Sequence, residues 1–405
     1  MNSWQLRERA LATLAKEVGY TRKPHGDRLR VALAFPNTYW VGMSNLGYQT
    51  VYRLLNAQDD IVCERVFLPP KQELAELSAA GIPLLTLETQ TPVSDFDVLA
   101  FSVSFEWDYV NILTLLRLAG VPSYAAERST RHPLIMIGGA VTFVNPEPLA
   151  LFADVIAAGE GEVLVPALAR AVRAATDRPD LLRLLALERG FYVPSLYEPR
   201  YGADGSLTGY GVIGDGSGAP LPVHKAAVKT TDALDPPSTS IFTPETEFGS
   251  RFLIEVVRGC ANLCRFCWAG YNSLPVRSFP ADRILQLAET ARVLEPRHER
   301  RDRVVGRVEL AVVESDELPE VVRARGNESL PEDVVEVRVR RAVADCQKPF
   351  STLQAFPTIS LKSLIIVGNF WQTFPFHANK FEQIVVPIKT ANVKNSCSRS
   401  HRNAG

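Results

Sequence analysis

The chain has 405 residues, 22% of them charged, and a formal net charge of −1. That length allows two or three domains and a sizeable core, and the near-zero balance excludes a global field favouring nucleic acid or an anionic membrane. No apolar run is long enough to span a bilayer, and the first residues (Asn2, Ser3, Trp4, then Arg7, Glu8 and Arg9) lack the apolar core of a signal peptide. Six cysteines, three of them clustered, suit a reducing compartment, read here as the cytoplasm, better than a disulfide scaffold.

Residues 1–27 read as an N-terminal helix. From 28 to 180 short apolar runs alternate with helical patterns. Leu29–Phe35 reads as a strand, Ser44–Gln58 as a helix with Leu46, Val51, Leu54 and Leu55 on one face, and Ile61–Phe67 as a strand. Glu73–Ala80 is a short helix, Asp97–Val103 a strand, and Tyr109–Ala119 a helix. Leu134–Ile137 is a strand ending in Gly138-Gly139. Asp154–Ala157 is a strand ending in Gly159-Glu160-Gly161-Glu162, and a helix to about Ala175 follows. This alternation predicts an α/β fold with a doubly wound parallel sheet. Ligands of such sheets sit at the carboxyl ends of the strands, among the loops Pro36–Gly42, Ser102–Glu106, Gly138–Asn145 and Gly159–Glu162. No G-x-G-x-x-G opens the first helix, which argues against a dinucleotide site.

These loops resemble those of a cobalamin-binding domain. The D-x-H-x-x-G spacing of that family's first loop is occupied here by Asn37-Thr38-Tyr39-Trp40-Val41-Gly42. Tyr39 stands in place of the cobalt-coordinating histidine and Asn37 in place of the aspartate, so the resemblance implies a histidine-off corrinoid. Ser102 and Ser104 after one strand, and Gly138 and Gly139 after the next, would let a nucleotide tail run close to the backbone. Gly159 and Gly161 complete the implied set. A domain that only packs, with ordinary turn glycines, is the competing reading.

Residues 181–250 form a connector. Alternating aromatic and polar positions around Phe191–Tyr201, with the turn signals Gly202-Ala203-Asp204-Gly205 and Gly214–Gly218, predict one or two β-hairpins. An extended Pro/Ser/Thr-rich linker, Thr231–Thr246, follows. His224 and Lys225 read as solvated, and Cys63 as a buried strand residue.

In the segment 251–295, the run Phe252–Val257 reads as a buried strand. Just beyond it stand Cys260, Cys264 and Cys267 at C-x3-C-x2-C spacing, after Arg258-Gly259. Three thiolates on one tight loop can ligate a 4Fe–4S cluster and leave one iron without a protein ligand. A structural zinc site with a distant fourth ligand, a redox pair or chance clustering are the competing readings. The spacing, with Phe266 before the last cysteine, resembles the signature of the radical S-adenosylmethionine superfamily. That resemblance implies a (β/α) barrel beginning here, with S-adenosylmethionine bound at the open iron and Phe266 near its adenine. It also implies a one-electron donor such as flavodoxin or ferredoxin, and methyl transfer or hydrogen abstraction on a substrate the motif does not name. Glu88–Pro92, Asp95–Leu99, Asn145–Leu149 and Gly159–Glu162, in order with the cysteine segment, extend the resemblance over about residues 1–295. It points to bacterial cobalamin-domain members of that superfamily without an assigned substrate. No further cysteine set is visible for an auxiliary cluster.

Residues 296–405 do not match. After the helix Ala281–Leu294, Arg297–Asp345 is crowded with Arg, Glu, Asp and Val, and from Gln347 onward Glu382 is the only acidic residue. Barrel periodicity is missing, so the barrel reads as incomplete and the tail as a translation after a disrupted reading frame. A divergent, disordered tail is the alternative. For function, the alternative is a truncated, non-catalytic iron–sulfur or cobalamin-binding remnant, and beyond it a fragment with no activity of its own.

Overall fold

Every second residue of Leu29–Phe35 decides how the first layer is built. Val31, Leu33 and Phe35 turn to one face and Ala32 and Ala34 to the other, and all five are buried. A strand buried on both faces needs helices on both sides. The computed structural model supplies them. It describes residues 3–214, 218–262, 264–267, 271–294, 308–312, 337–341 and 364–367.

The main sheet has six strands in the order β2-β1-β3-β4-β5-β6. These are β1 (Leu29–Phe35), β2 (Ile61–Phe67), β3 (Val98–Ser102), β4 (Leu134–Gly138), β5 (Val155–Ala157) and β6 (Phe191–Tyr192). The first five pair in parallel, and β6 runs antiparallel to β5 with Ile156 opposite Tyr192. Helices α3 (Leu46–Asn56), α7 (Gly161–Ala174) and α8 (Arg178–Leu187) cover one face, and α5 (Tyr109–Leu118) the other. Helix α1 (Ser3–Leu14) precedes the sheet, and α4 (Lys71–Ala80) connects β2 toward β3. Asn45 caps α3 by accepting from the Tyr48 amide at 2.9 Å.

Three features depart from the sequence reading. The Pro36–Gly42 loop contains a helical turn, α2 (Tyr39–Met43), in which the Gly42 amide donates to the Thr38 carbonyl at 2.9 Å. Helix α8 was not expected, although its signals are present: Asp177 accepts from the Asp180 amide at 2.8 Å, and Pro179 sits in the first turn. Because α8 turns the chain back, Phe191–Tyr192 joins the main sheet as β6 instead of opening a hairpin. One hairpin remains, β7 (Tyr197–Tyr201) with β8 (Leu207–Val212). The short helix α6 (Glu147–Ala150) follows the Asn145 turn, where the Asn145 side chain accepts from the Glu147 amide at 3.1 Å.

Beyond the connector stand β9 (Phe252–Glu255), β10 (Val257–Arg258), β11 (Arg277–Ser278) and α9 (Ala281–Leu294). Ile284, Ala288 and Ala291 of α9 pack on Phe252, Ile254 and Phe279, as a first strand–helix unit should. In the segment 296–405 the described residues are three strands, β12 (Val308–Val312), β13 (Val337–Arg341) and β14 (Leu364–Val367). β12 pairs in parallel with β13, and β14 in parallel with β9. These pairings were not anticipated from the composition. Cys346 and Cys397 lie outside the described residues. Among those described, no helix is long and apolar enough to cross a membrane.

Candidate functional site

A cavity of about 300 Å³ opens at the carboxyl ends of the parallel strands. Its inner part is an apolar slot between the sheet and the α3–α7 layer, walled by Val31, Leu33, Ala100, Met136, Val51, Leu55, Val165 and Leu168. Its mouth is polar, with Asn45, Ser102, Ser104, Glu160, Glu162, Lys225, Glu255 and Arg258. The volume lies at the lower end of the small-molecule range, enough for a ligand's tail or a modest whole ligand.

Six of the predicted residues line this cavity: Ser102, Ser104, Gly138, Gly139, Gly159 and Gly161. Ser104 is fixed from across the mouth, its hydroxyl accepting from Asn45 Nδ2 at 2.9 Å. Gly139 has φ +101°, and a Cβ there would stand 2.3 Å from the Val103 carbonyl oxygen, so the floor closes only with glycine. Gly159 lies against the backbone of Ala226, which forms a β-bridge with it.

The first-loop residues are placed elsewhere. Asn37 Nδ2 donates to Asp108 Oδ1 at 2.9 Å. The Tyr39 hydroxyl donates to Glu17 Oε1 at 2.6 Å and lies 3.3 Å from Thr243 Oγ1, with its ring edge-on to Phe67. Burial, then the Glu17 charge, pushes the Tyr39 phenol far above its ordinary pKa. Gly42 packs against Phe35 and Phe67. None of the three lines the cavity.

Cys260, Cys264 and Cys267 lie on the loop between β10 and β11, whose base is the antiparallel pair Val257–Ser278 and Arg258–Arg277. Gly259, at φ +94°, starts the turn, and a Cβ there would meet the Ser273 carbonyl at 2.5 Å. The Cys267 amide donates to the Cys264 carbonyl at 2.9 Å. None of the three thiols is in a disulfide; Cys260 and Cys264 are partly exposed and Cys267 is buried. Among the described residues no set of three or more His, Cys, Asp or Glu side chains is drawn together for a metal. In donor type and spacing, the three thiols nonetheless suit a cluster-binding loop. Phe266, expected near an adenine, is 73% exposed on this loop.

Arg258, just ahead of the cysteines, sits in a buried network of carboxylates. Its side chain is 10% exposed. It donates to Glu160 Oε2 (3.0 Å), Glu162 Oε1 (2.8 Å) and Glu255 Oε1 and Oε2 (3.1 and 2.8 Å). Arg277 donates to both oxygens of Glu160, at 3.0 and 2.8 Å, and the Val228 amide adds a further bond at 2.9 Å. Burial raises the Glu160 carboxyl, but Arg277, Arg258 and Val228 outweigh it and hold the group below its ordinary pKa. Glu255 is more deeply buried, and there burial outweighs Arg258 and raises the carboxyl.

Lys225, read as solvated, is half-buried. It donates to the Asn272 carbonyl, stands 5.1 Å from the centre of the Phe143 ring, and has its pKa lowered by burial. Lys225 and Phe143 also wall a second cavity of about 570 Å³ beside Tyr192, Tyr210 and Tyr271. His224 is exposed, as expected.

Residues 47–194 match the family described as radical SAM proteins, N-terminal. An uncharacterized protein of Methanocaldococcus jannaschii is 22% identical over 259 residues, which cover 64% of this chain and 45% of that protein. The chain therefore spans less than half the length of this relative. No solved structure matches. The matched region carries strands β2 to β6 of the main sheet, the three cysteines follow in a later segment, and the family match supports radical SAM superfamily membership.

Proposed function

We propose that Cys260, Cys264 and Cys267 hold a 4Fe–4S cluster at which S-adenosylmethionine is reductively cleaved, and that the neighbouring cavity takes part of a corrinoid in its histidine-off form. The observation that carries this reading is the placement of the apolar slot beside the cysteine loop. The slot passes between the sheet and α3–α7, floored by small residues, and Glu255 and Arg258 at its mouth belong to the strands leading into the cysteines.

When bound, the cluster supplies one electron to the sulfonium and so a carbon-centred radical for hydrogen abstraction or methyl transfer. The chain's own residues do the rest. The cysteine thiols ligate as thiolates, which requires them to release protons on binding. Ser102 and Ser104 offer hydroxyls at the mouth, and Val31, Leu33, Val165 and Leu168 keep water from the slot. Tyr39, committed to Glu17 and Thr243, would not be available to a bound corrinoid. The electron would come from a flavodoxin or ferredoxin in a reducing cytoplasm, and the substrate is a separate molecule.

Anaerobic reconstitution with iron and sulfide, followed by S-adenosylmethionine and a strong reductant, tests the first half. 5′-Deoxyadenosine should form, and should be lost in Cys264→Ala. A cluster without product would favour a binding module over an enzyme, and absence of any cluster would sink the proposal. Hydroxocobalamin retained through gel filtration, and released by Ser102→Leu, tests the second half.

A further inference from the structure

Arg258 and Arg277 stand directly opposite each other in the antiparallel pair that closes the base of the cysteine loop. Like charges in facing positions of a sheet repel, and both side chains are at least nine-tenths buried, where solvent screens them little. Paired alone, these two residues would open the loop at its root. What prevents this comes from a distant part of the chain. Glu160, on the loop leaving β5, accepts from both guanidinium groups, and its Oε2 is shared between them at 3.0 Å each. Glu162 takes a second Arg258 donor at 2.8 Å. Counting Lys225, whose pKa burial lowers and the nearby Glu160 charge only partly restores, three cations face the carboxylates of Glu160, Glu162 and Glu255. Removing one of these carboxylates leaves positive charge buried and unmatched.

We infer that Glu160 is a positioning residue for the cysteine loop: it clamps Arg258 and Arg277 together, and thereby fixes where Cys260, two residues beyond Arg258, begins. Glu160 and Arg258 also line the cavity mouth, so the clamp ties the ligand-binding edge of the sheet to the cysteine loop. The inference rests on the proposed cluster role of those cysteines, but its first test needs no cluster.

The test is the rate at which iodoacetamide alkylates Cys260, Cys264 and Cys267 in the full-length apo chain, followed by peptide mass spectrometry. Glu160→Gln keeps the size of the side chain and removes its charge. It should speed alkylation of Cys260 on the order of tenfold, the equivalent of about one charge-assisted bond. Removing one of the opposed arginines as well relieves the repulsion, so Glu160→Gln with Arg277→Gln should return the rate toward that of the parent. Far-ultraviolet circular dichroism checks the fold. If Glu160→Gln alone does not fold, the double variant decides, because it should fold and react like the parent. An unchanged rate in a folded Glu160→Gln, or a double variant as reactive or as unfolded as the single one, overturns the clamp. After reconstitution, Glu160→Gln should also change the electron paramagnetic resonance line shape of the reduced centre. A parent chain that forms no cluster at all counts against the proposed function and leaves the alkylation result standing.

Discussion

Arg65 and Arg258 are both buried against carboxylates, and their surroundings differ. Arg65, on β2, is fully buried. It donates to Glu17 Oε1 and Oε2 (2.8 and 2.6 Å) and to Glu88 Oε1 (2.6 Å), and it lies 5.3 Å from the centre of the Tyr52 ring. Both carboxylates are sealed with it. Arg258 has three carboxylate partners but stands at the mouth of a cavity, with Glu160, Glu162 and Glu255 lining the same space. The first network pins the segment after α1 and the Glu88–Pro92 turn to the sheet, and no ligand can reach it. The second joins two segments at a place a ligand can touch. The same ion-pair chemistry is structural where it is closed and available to function where it is open.

The sharpest way to break this contrast is Arg65→Met. It strands two buried carboxylates and should cost about 3–5 kcal/mol, measured by urea denaturation; a loss below about 1 kcal/mol would mean that water reaches the Arg65 site. Gly139→Ala should come next, at about 1–3 kcal/mol from backbone strain, with loss of any corrinoid binding because the floor must move; crystallography or a binding titration checks it. Glu160→Gln should cost less than Arg65→Met. Its pH dependence has a definite sign. The folded-state pKa of Glu160 is lowered, so its stabilisation is fully present above the unfolded value near 4.5 and is lost as pH falls through the lower folded value. Urea curves for parent and variant should therefore converge in that acid window and stay apart at pH 7. Tyr39→Phe is the mildest change, about 1 kcal/mol for one buried hydrogen bond, and it should leave corrinoid retention unaltered, since Tyr39 does not line the cavity.

Much of this was legible in the sequence. Apolar runs such as Leu29–Phe35 and Leu134–Ile137 announce strands covered on both faces, and the glycines and serines after β3, β4 and β5 do line one cavity. The cysteine spacing marks the loop that follows. Helix α2 was hidden because a single turn leaves no periodicity to read. Asn37, Tyr39 and Gly42 matched a spacing, but Asp108, Glu17 and Phe67 decide where those residues sit, and they come from other parts of the chain. The Glu160 clamp was out of reach for the same reason. Its partners are 98 and 117 residues away in sequence, and no local pattern encodes a contact that only the assembled sheet creates. Lys225 illustrates a limit of base rates: an isolated lysine usually faces water, and this one covers a phenylalanine ring.

The Glu88–Pro92 turn has one more consequence. β2 ends the sheet on one side, and an exposed outer strand can recruit strands from other molecules. Here the outward groups of β2 are already taken. The Cys63 amide and carbonyl both bond the Asn56 side chain, the Arg65 amide bonds Glu88, and the Arg65 carbonyl accepts from Leu87. At the opposite border β6 is only two residues long. The backbone of β2 at Cys63 and Arg65 is therefore closed to an added strand, and β6 is too short to template one, which limits that route to aggregation.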